Sequence, residues 1–300
     1  MTTLALAVRT CRRPCDNRAF APIVSAVYAL TRSRTIELSG PDAAAYAQAQ
    51  FCNDVDALPV GGAQLSAWLN PDGRIRALFH LLRPADDRFV LVLRGGDAQA
   101  LERPLRMFVL RLKTKVDIVE HVVAALEPGE APPAGAFAFA VDDTRLAALL
   151  PPDAVASDAT PRQLDAWTRA DIDAGLPWLP PHALDAVLPS WLDLARLGGI
   201  SHRKGCYPGQ EIVARLHFRG GGDKRRLTIV AGDEATMAAA TTLRDTGGAE
   251  AGVALQSAND GAGRRVALAV VRKEVATIGS VLSAANGSIQ VISAKWNRPD

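Results

Sequence analysis

Apolar and polar positions alternate differently along successive stretches of the chain, and the changes of period mark its elements. Thr35-Ile36-Glu37-Leu38-Ser39 alternates with period two and predicts a strand, which Gly40-Pro41 ends. Residues 42–51 are an Ala-rich run headed by Asp42, the composition of a helix with an acid at its positive end. Strands are expected at 64–69, 74–82 and 88–93, separated by Asn70-Pro71-Asp72-Gly73 and Pro84-Ala85-Asp86-Asp87 as turns of a meander. Leu101, Leu105, Phe108, Val109 and Leu112 recur at helical spacing and predict a helix over 97–112, after which 116–123 returns to strand. The Ala-, Pro- and Asp-rich stretch 126–160 is the least constrained, with a strand expected at 137–141 and a short helix at 144–150. Beyond residue 223 the pattern becomes short strands at 226–231, 242–244, 251–255, 265–271, 281–283 and 288–292, divided by Gly, Asn and Asp, which indicates a small β-barrel or sandwich.

Helices and strands intermingle in the first two thirds without a repeating βα unit, so the expected class is α+β. Three segments follow: a tail over 1–22, an α+β region over 23–222, and a β-barrel over 223–300. The tail carries Arg9, Arg12, Arg13 and Arg18 against Asp16, without an amphipathic face or a basic region before its short apolar run. It is expected to be a disordered tail or the product of a start codon placed too far upstream, and not a secretory signal.

At 300 residues and 48% hydrophobic side chains the chain can bury a sizeable core, and no apolar run reaches the ~20 residues of a membrane span. Four cysteines, at 11, 15, 52 and 206, are too scattered for a disulfide framework and point to a reducing, cytoplasmic compartment. No set of residues has metal-ligand spacing, and no nucleophile elbow, Walker loop or dinucleotide-binding glycine loop occurs.

The net charge of +2 hides a local excess. Between Ser201 and Arg226 seven basic residues stand against Glu211 and Asp223, a cluster that suits a polyanionic ligand tail, a phosphate or RNA, or is simply a solvated surface. Aromatic residues are sparse there and no nucleic-acid motif accompanies the charge, so direct nucleic-acid binding is not expected.

Within that cluster, Lys204-Gly205-Cys206-Tyr207-Pro208-Gly209-Gln210-Glu211 mounts a thiol on a glycine-rich turn after two cations and before a helix in which Ile212, Val213 and Leu216 share a face. Neighbouring cations and helix N-termini favour thiolate, which suits an activated Cys206 with Lys204 as its tuning charge; a buried, inert thiol is the alternative. Gln50, Asn53 and Asp54 present amide and carboxylate groups able to read a pterin edge, although Asn and Asp also serve helix ends and turns. Trp167, Trp178 and Trp191 are assigned to packing.

The octapeptide, together with Leu197-Gly198-Gly199-Ile200-Ser201-His202-Arg203 before it and Ile212-Val213-Ala214-Arg215 after it, resembles the signature of the folate-binding YgfZ family, relatives of the glycine-cleavage aminomethyltransferase. Gly40-Pro41-Asp42, Gln48-Ala49-Gln50, Asn53-Asp54-Val55, Asn70-Pro71-Asp72-Gly73 and Asp173-Ala174-Gly175-Leu176-Pro177 extend the resemblance from about residue 23 to the C-terminus. It implies a ring of two intertwined, ferredoxin-like α+β parts plus a C-terminal antiparallel β-barrel, with tetrahydrofolate or a one-carbon derivative in the central hole. On the motif positions it implies Cys206 and Lys204 as the reactive pair, and Gln50, Asn53, Asp54, Asp193, Tyr207, Gly209, Gln210, Glu211 and Arg215 as folate-binding, with no resident metal. Asp193 stands where the family usually has Asn. The implied role is an accessory protein for assembly or repair of iron-sulfur proteins, and thereby for tRNA modification, with a transient cluster contact at Cys206 and iron-sulfur client or assembly proteins as partners. The alternative is a true aminomethyltransferase. In that enzyme an Asp-Asp pair follows the Asn-x-x-Gly-Gly turn, whereas here Ala77 and Leu78 occupy the pair's place, which favours the accessory role.

Overall fold

The computed structural model describes residues 27–295 apart from 128, 155–156, 221–223, 262, 285–286 and 294; the expected tail, with Cys11 and Cys15, lies outside the described residues. The chain runs β1 (Tyr28–Ser39), α1 (Ala43–Gln50), β2 (Ala63–Leu69), β3 (Ile75–Ala85), β4 (Arg88–Gly95), α2 (Ala98–Met107), β5 (Lys115–Leu126), β6 (Phe137–Ala140), β7 (Leu146–Leu150), β8 (Ser157–Asp158), α3 (Pro161–Ala174), α4 (Gln210–Arg219), β9 (Arg225–Asp233), α5 (Glu234–Ala238), β10 (Thr242–Arg244), β11 (Glu250–Asn259), β12 (Arg264–Arg272), β13 (Val281–Ala284) and β14 (Gly287–Ser293).

The first eight strands make one sheet in the order β2-β3-β4-β1-β5-β7-β6, with β8 pairing β1; the last six close into a barrel, β10-β11-β12-β9-β14-β13. The two α+β parts expected from the sequence thus share a continuous sheet, with β1 as its hinge: it pairs β4 on one side and β5 on the other. Pairing explains the length of β1 beyond its alternating core: Ile36 and Leu38 are fully buried, whereas the stretch before them is mostly exposed or half-buried and is held by β5 and, at the Tyr28 end, β8. One apolar core runs from the sheet through Ile172 of α3 into the barrel residues Leu227, Leu255, Leu268 and Val270.

Two expected helices differ. Residues 144–150 form strand β7 instead of a short helix, because Leu146–Leu150 finds β5 and β6 on either side and buries Ala147 through Leu150 between them. Pairing on both edges outweighs the helical preference of Leu and Ala. The helix predicted over 97–112 stops at Met107: Leu101 and Leu105 reach the core, and the chain then turns, with Leu110 in a left-handed conformation at φ 47°, to enter β5.

Helix α3 was not anticipated, although its signals are in the sequence. Thr160 and Gln163 form a reciprocal capping box, Pro161 occupies the first turn, and Gly175 closes the helix at φ 66°.

Candidate functional site

A cavity of about 860 Å³ opens where β2, β3, the turn from 140 to 145, α3 and the segment 196–198 meet. Gln64, His80, Arg145, Asp173 and Arg196 are among the polar side chains that line it. A smaller, more apolar cavity of about 280 Å³, lined by Leu30, Val92, Phe139 and Trp167, shares His80 and Val141 with the first. The shared wall makes them neighbouring chambers.

Buried charge frames the wall. Arg94 and Asp171 pair at 2.6 Å with side chains 6% and 5% exposed, and Arg145 bridges Asp171 at 2.7 Å and Asp142 at 2.6 Å. Burial alone would raise the Asp142 carboxyl, but bonds from Arg145 and Thr144 outweigh it and hold the group below its ordinary range. His80, buried in the strand between the chambers, is driven down to about 3 by desolvation, reinforced by the charge of Arg94, so its ring is neutral. Gln64 Nε2 is buried without a partner. An orphaned donor in a cavity wall is costly unless something else accepts from it.

The residues expected to read the pterin do not line this cavity. Asn53 spends both amide hydrogens on backbone, donating to Leu65 O at 2.8 Å and Gly198 O at 2.7 Å, while its Oδ1 accepts from Asp54 N. Leu65 and Gly198 do line the cavity, so Asn53 braces the wall from behind. Asp54 accepts from Gln48 Nε2 at 3.0 Å, and Gln50 is buried with its Oε1 unpartnered. Asp193 adopts a left-handed conformation at φ 51°, which Asp and Asn tolerate, and pairs with Arg196 at 2.9 Å. Its charge therefore anchors a cavity-lining guanidinium.

The Cys206 loop is tied down by its lysine. Lys204 is 8% exposed, and its ammonium donates to the carbonyls of Gln48, Phe51 and Asn53 at the C-terminal end of α1. All three of its donors are committed there, where a cation complements the helix dipole. Lys204 thus fastens the loop to α1. Desolvation lowers the Lys204 pKa to about 8. Tyr207 is buried with the Lys204 ammonium 5.3 Å from its ring, and burial pushes its hydroxyl pKa up. Gln210 Nε2 reaches Lys204 O at 3.5 Å, whereas Glu211 and Arg215 lie on the exposed side of α4.

Two motifs far apart in the chain meet at Gly209. Its φ is 78°, and a Cβ there would stand 2.5 Å from Asn70 O and 2.8 Å from the Gly73 Cα, so the thiol loop packs backbone to backbone on the β2–β3 turn. Only glycine permits that approach. Cys206 itself is exposed, while Cys52 is buried, donates to Gly199 O at 3.3 Å, and has its thiol pushed up to about 11 by desolvation. The inert reading of a lone thiol belongs to Cys52.

Among the described residues no group of His, Cys, Asp or Glu is arranged to hold a metal, and no helix is long and apolar enough to cross a membrane. Residues 25–126 match the GCVT N-terminal domain family. An uncharacterized protein of Haemophilus influenzae is 30% identical over 210 residues, covering 69% of this chain and 73% of that one. The tRNA-modifying protein YgfZ of Klebsiella pneumoniae is 30% identical over 226 residues, covering 65% and 68% of the two chains. Its counterpart in Edwardsiella ictaluri is 29% identical over 220 residues, 62% and 65% of the two chains. Glycine cleavage system aminomethyltransferase T from Bartonella henselae shares the fold, with a TM-score of 0.66 over 89% of this chain and 84% of that one at 18% identity.

Proposed function

This chain belongs to the YgfZ family, and from that premise we propose that it binds a reduced folate in the cavity framed by Gln64, Arg145, Asp173 and Arg196 and supports iron-sulfur proteins through the exposed Cys206 thiol. The observation that carries the reading is the cavity: its volume lies within the range of small-molecule sites, and its wall holds an unpartnered amide donor. A pterin offers acceptors for that donor and an amino edge that a carboxylate such as Asp173 can accept from. His80, held neutral, adds a group that can donate or accept without bringing charge.

The accessory role is favoured over aminomethyl transfer by two buried residues. Ala77 and Leu78 are 1% and 0% exposed within β3, where the enzyme's pattern has its acid pair, and neither can hold an amine or move a proton. Relatives described as tRNA-modifying fit a protein whose clients include iron-sulfur enzymes acting on tRNA. Calorimetric titration with tetrahydrofolate tests the ligand: saturable heat is expected, and none at up to ~1 mM, weaker than about −4 kcal/mol, overturns the reading. Client iron-sulfur enzyme activity should fall in Cys206→Ala while folate binding persists.

A further inference from the structure

The outer face of α4 carries an aromatic arrangement that the cavity does not use. His202 and His217 stack with centroids 3.7 Å apart and planes within 8°, and the His217 ring meets Phe218 edge-on at 4.8 Å. Phe218 is 72% exposed at the end of a basic helix. Desolvation, then the neighbouring His217, lowers the His202 pKa, which favours a neutral stacked ring.

The seven cations of this region divide sharply. Lys204 is turned inward, Arg225 pairs with Glu250 at 3.2 Å, and Arg226 has a partner, whereas Arg203, Arg215, Arg219 and Lys224 are exposed with no side-chain partner among the described residues. Arg215 and Arg219 are one helical turn apart on the side of α4 that presents Phe218. Arg215 and Arg219 flank the exposed Phe218 ring, Arg203 follows the stacked His202 in the chain, and Lys224 lies five residues beyond the end of α4; cations next to an exposed π-face are complementary to a chain of phosphates carrying planar bases. An acidic peptide would use the charge and leave the rings idle. A folate tail is poorly served, because none of these residues lines either chamber.

We propose that this face binds single-stranded nucleic acid, with a base stacked on Phe218 beside the histidine pair and phosphates neutralised by Arg203, Arg215, Arg219 and Lys224. The sequence carries no nucleic-acid motif because the platform is assembled in space: His202 precedes the thiol loop and His217 follows it, and only the docking of α4 brings the rings together. Stacking of one base tightens binding by about tenfold or more, and four phosphate contacts give a salt slope of roughly −2.8.

The test uses the whole protein with a labelled oligouridylate and the matching oligothymidylate, read by fluorescence anisotropy at about 50 and about 200 mM salt. Saturable binding that weakens about fifty-fold across that salt range is expected for at least one oligomer. The tighter of the two tells RNA from DNA. Phe218→Ala, at a side chain too exposed to threaten folding, should weaken binding by about tenfold or more. Arg215→Met combined with Arg219→Met should reduce the salt slope by about 1.4. Failure of both oligomers to bind overturns the proposal. So does unchanged affinity in Phe218→Ala, or equal competition by polyglutamate, either of which marks a merely cationic surface. Folate titration of the same variants should be unaffected, so this test and that of the cavity can fail separately.

Discussion

In the cavity wall, Arg94, Asp171, Arg145 and Asp142 hold charge beneath the surface and satisfy one another there, whereas the Cys206 loop buries its supports and leaves its reactive atom outside. Lys204 and Tyr207 are inside the protein, Gly209 is pressed against the β2–β3 turn, and the thiol between them faces solvent. The wall is therefore rigid because its chemistry is structural. The loop can offer chemistry because its structure is carried by other residues. A group that both folds and functions cannot be exchanged without cost to both, and Cys206 escapes that constraint.

The contrast is broken most strongly at Arg94. Arg94→Met leaves Asp171 with a buried, half-compensated charge and should cost about 3–5 kcal/mol, while Cys206→Ala should stay within about 0.5 kcal/mol, both read by urea denaturation. Similar losses in the two variants would erase the distinction.

Lys204→Met sharpens it. Three carbonyls at the end of α1 lose their donor, a loss of about 1–3 kcal/mol, yet the rate of Cys206 alkylation by iodoacetamide at neutral pH should be unchanged, since the ammonium serves the helix end. A slowed reaction would return Lys204 to the thiol.

A dependence on pH, read as a slope and not as a single loss, sharpens it further. His80 is neutral in the fold, with a pKa near 3, and regains its ordinary value when unfolded. Between those values the unfolded chain binds the extra proton, so stability is fully present above about pH 6.5 and is lost on acidification, by up to about 1.4 kcal/mol per pH unit. Comparing His80→Gln with the parent chain by denaturation across that window isolates the slope; an identical slope in the variant removes His80 as its source.

Legibility in the sequence followed the same division. The barrel strands and the meander were readable because Gly, Pro, Asn and Asp divide them into short apolar runs, although β3, β4, β9 and β12 are buried almost continuously and show no alternation. Residues 144–150 were not, because Leu-Ala-Ala-Leu-Leu suits a helix and only its neighbours β5 and β6 make it a strand. The thiol loop was readable as a motif, and so was its helix. Its wiring was not: adjacency of Lys204 and Cys206 in the chain says nothing of where a four-carbon side chain ends. Asn53 and Asp54 were recognised as polar groups of a site, but whether an amide faces a ligand or is spent on Leu65 and Gly198 depends on contacts 12 and 145 residues away. The Arg94–Asp171 pair, 77 residues apart, has no local signal at all.

Crystals grown with tetrahydrofolate locate the ligand and so test the central claim most directly. The pterin is predicted in the cavity lined by Gln64, His80, Arg145, Asp173 and Arg196, with Gln64 Nε2 donating to it and Cys206 out of contact. Ligand seated instead against Cys206 and α4, with the cavity left to solvent, would contradict the account.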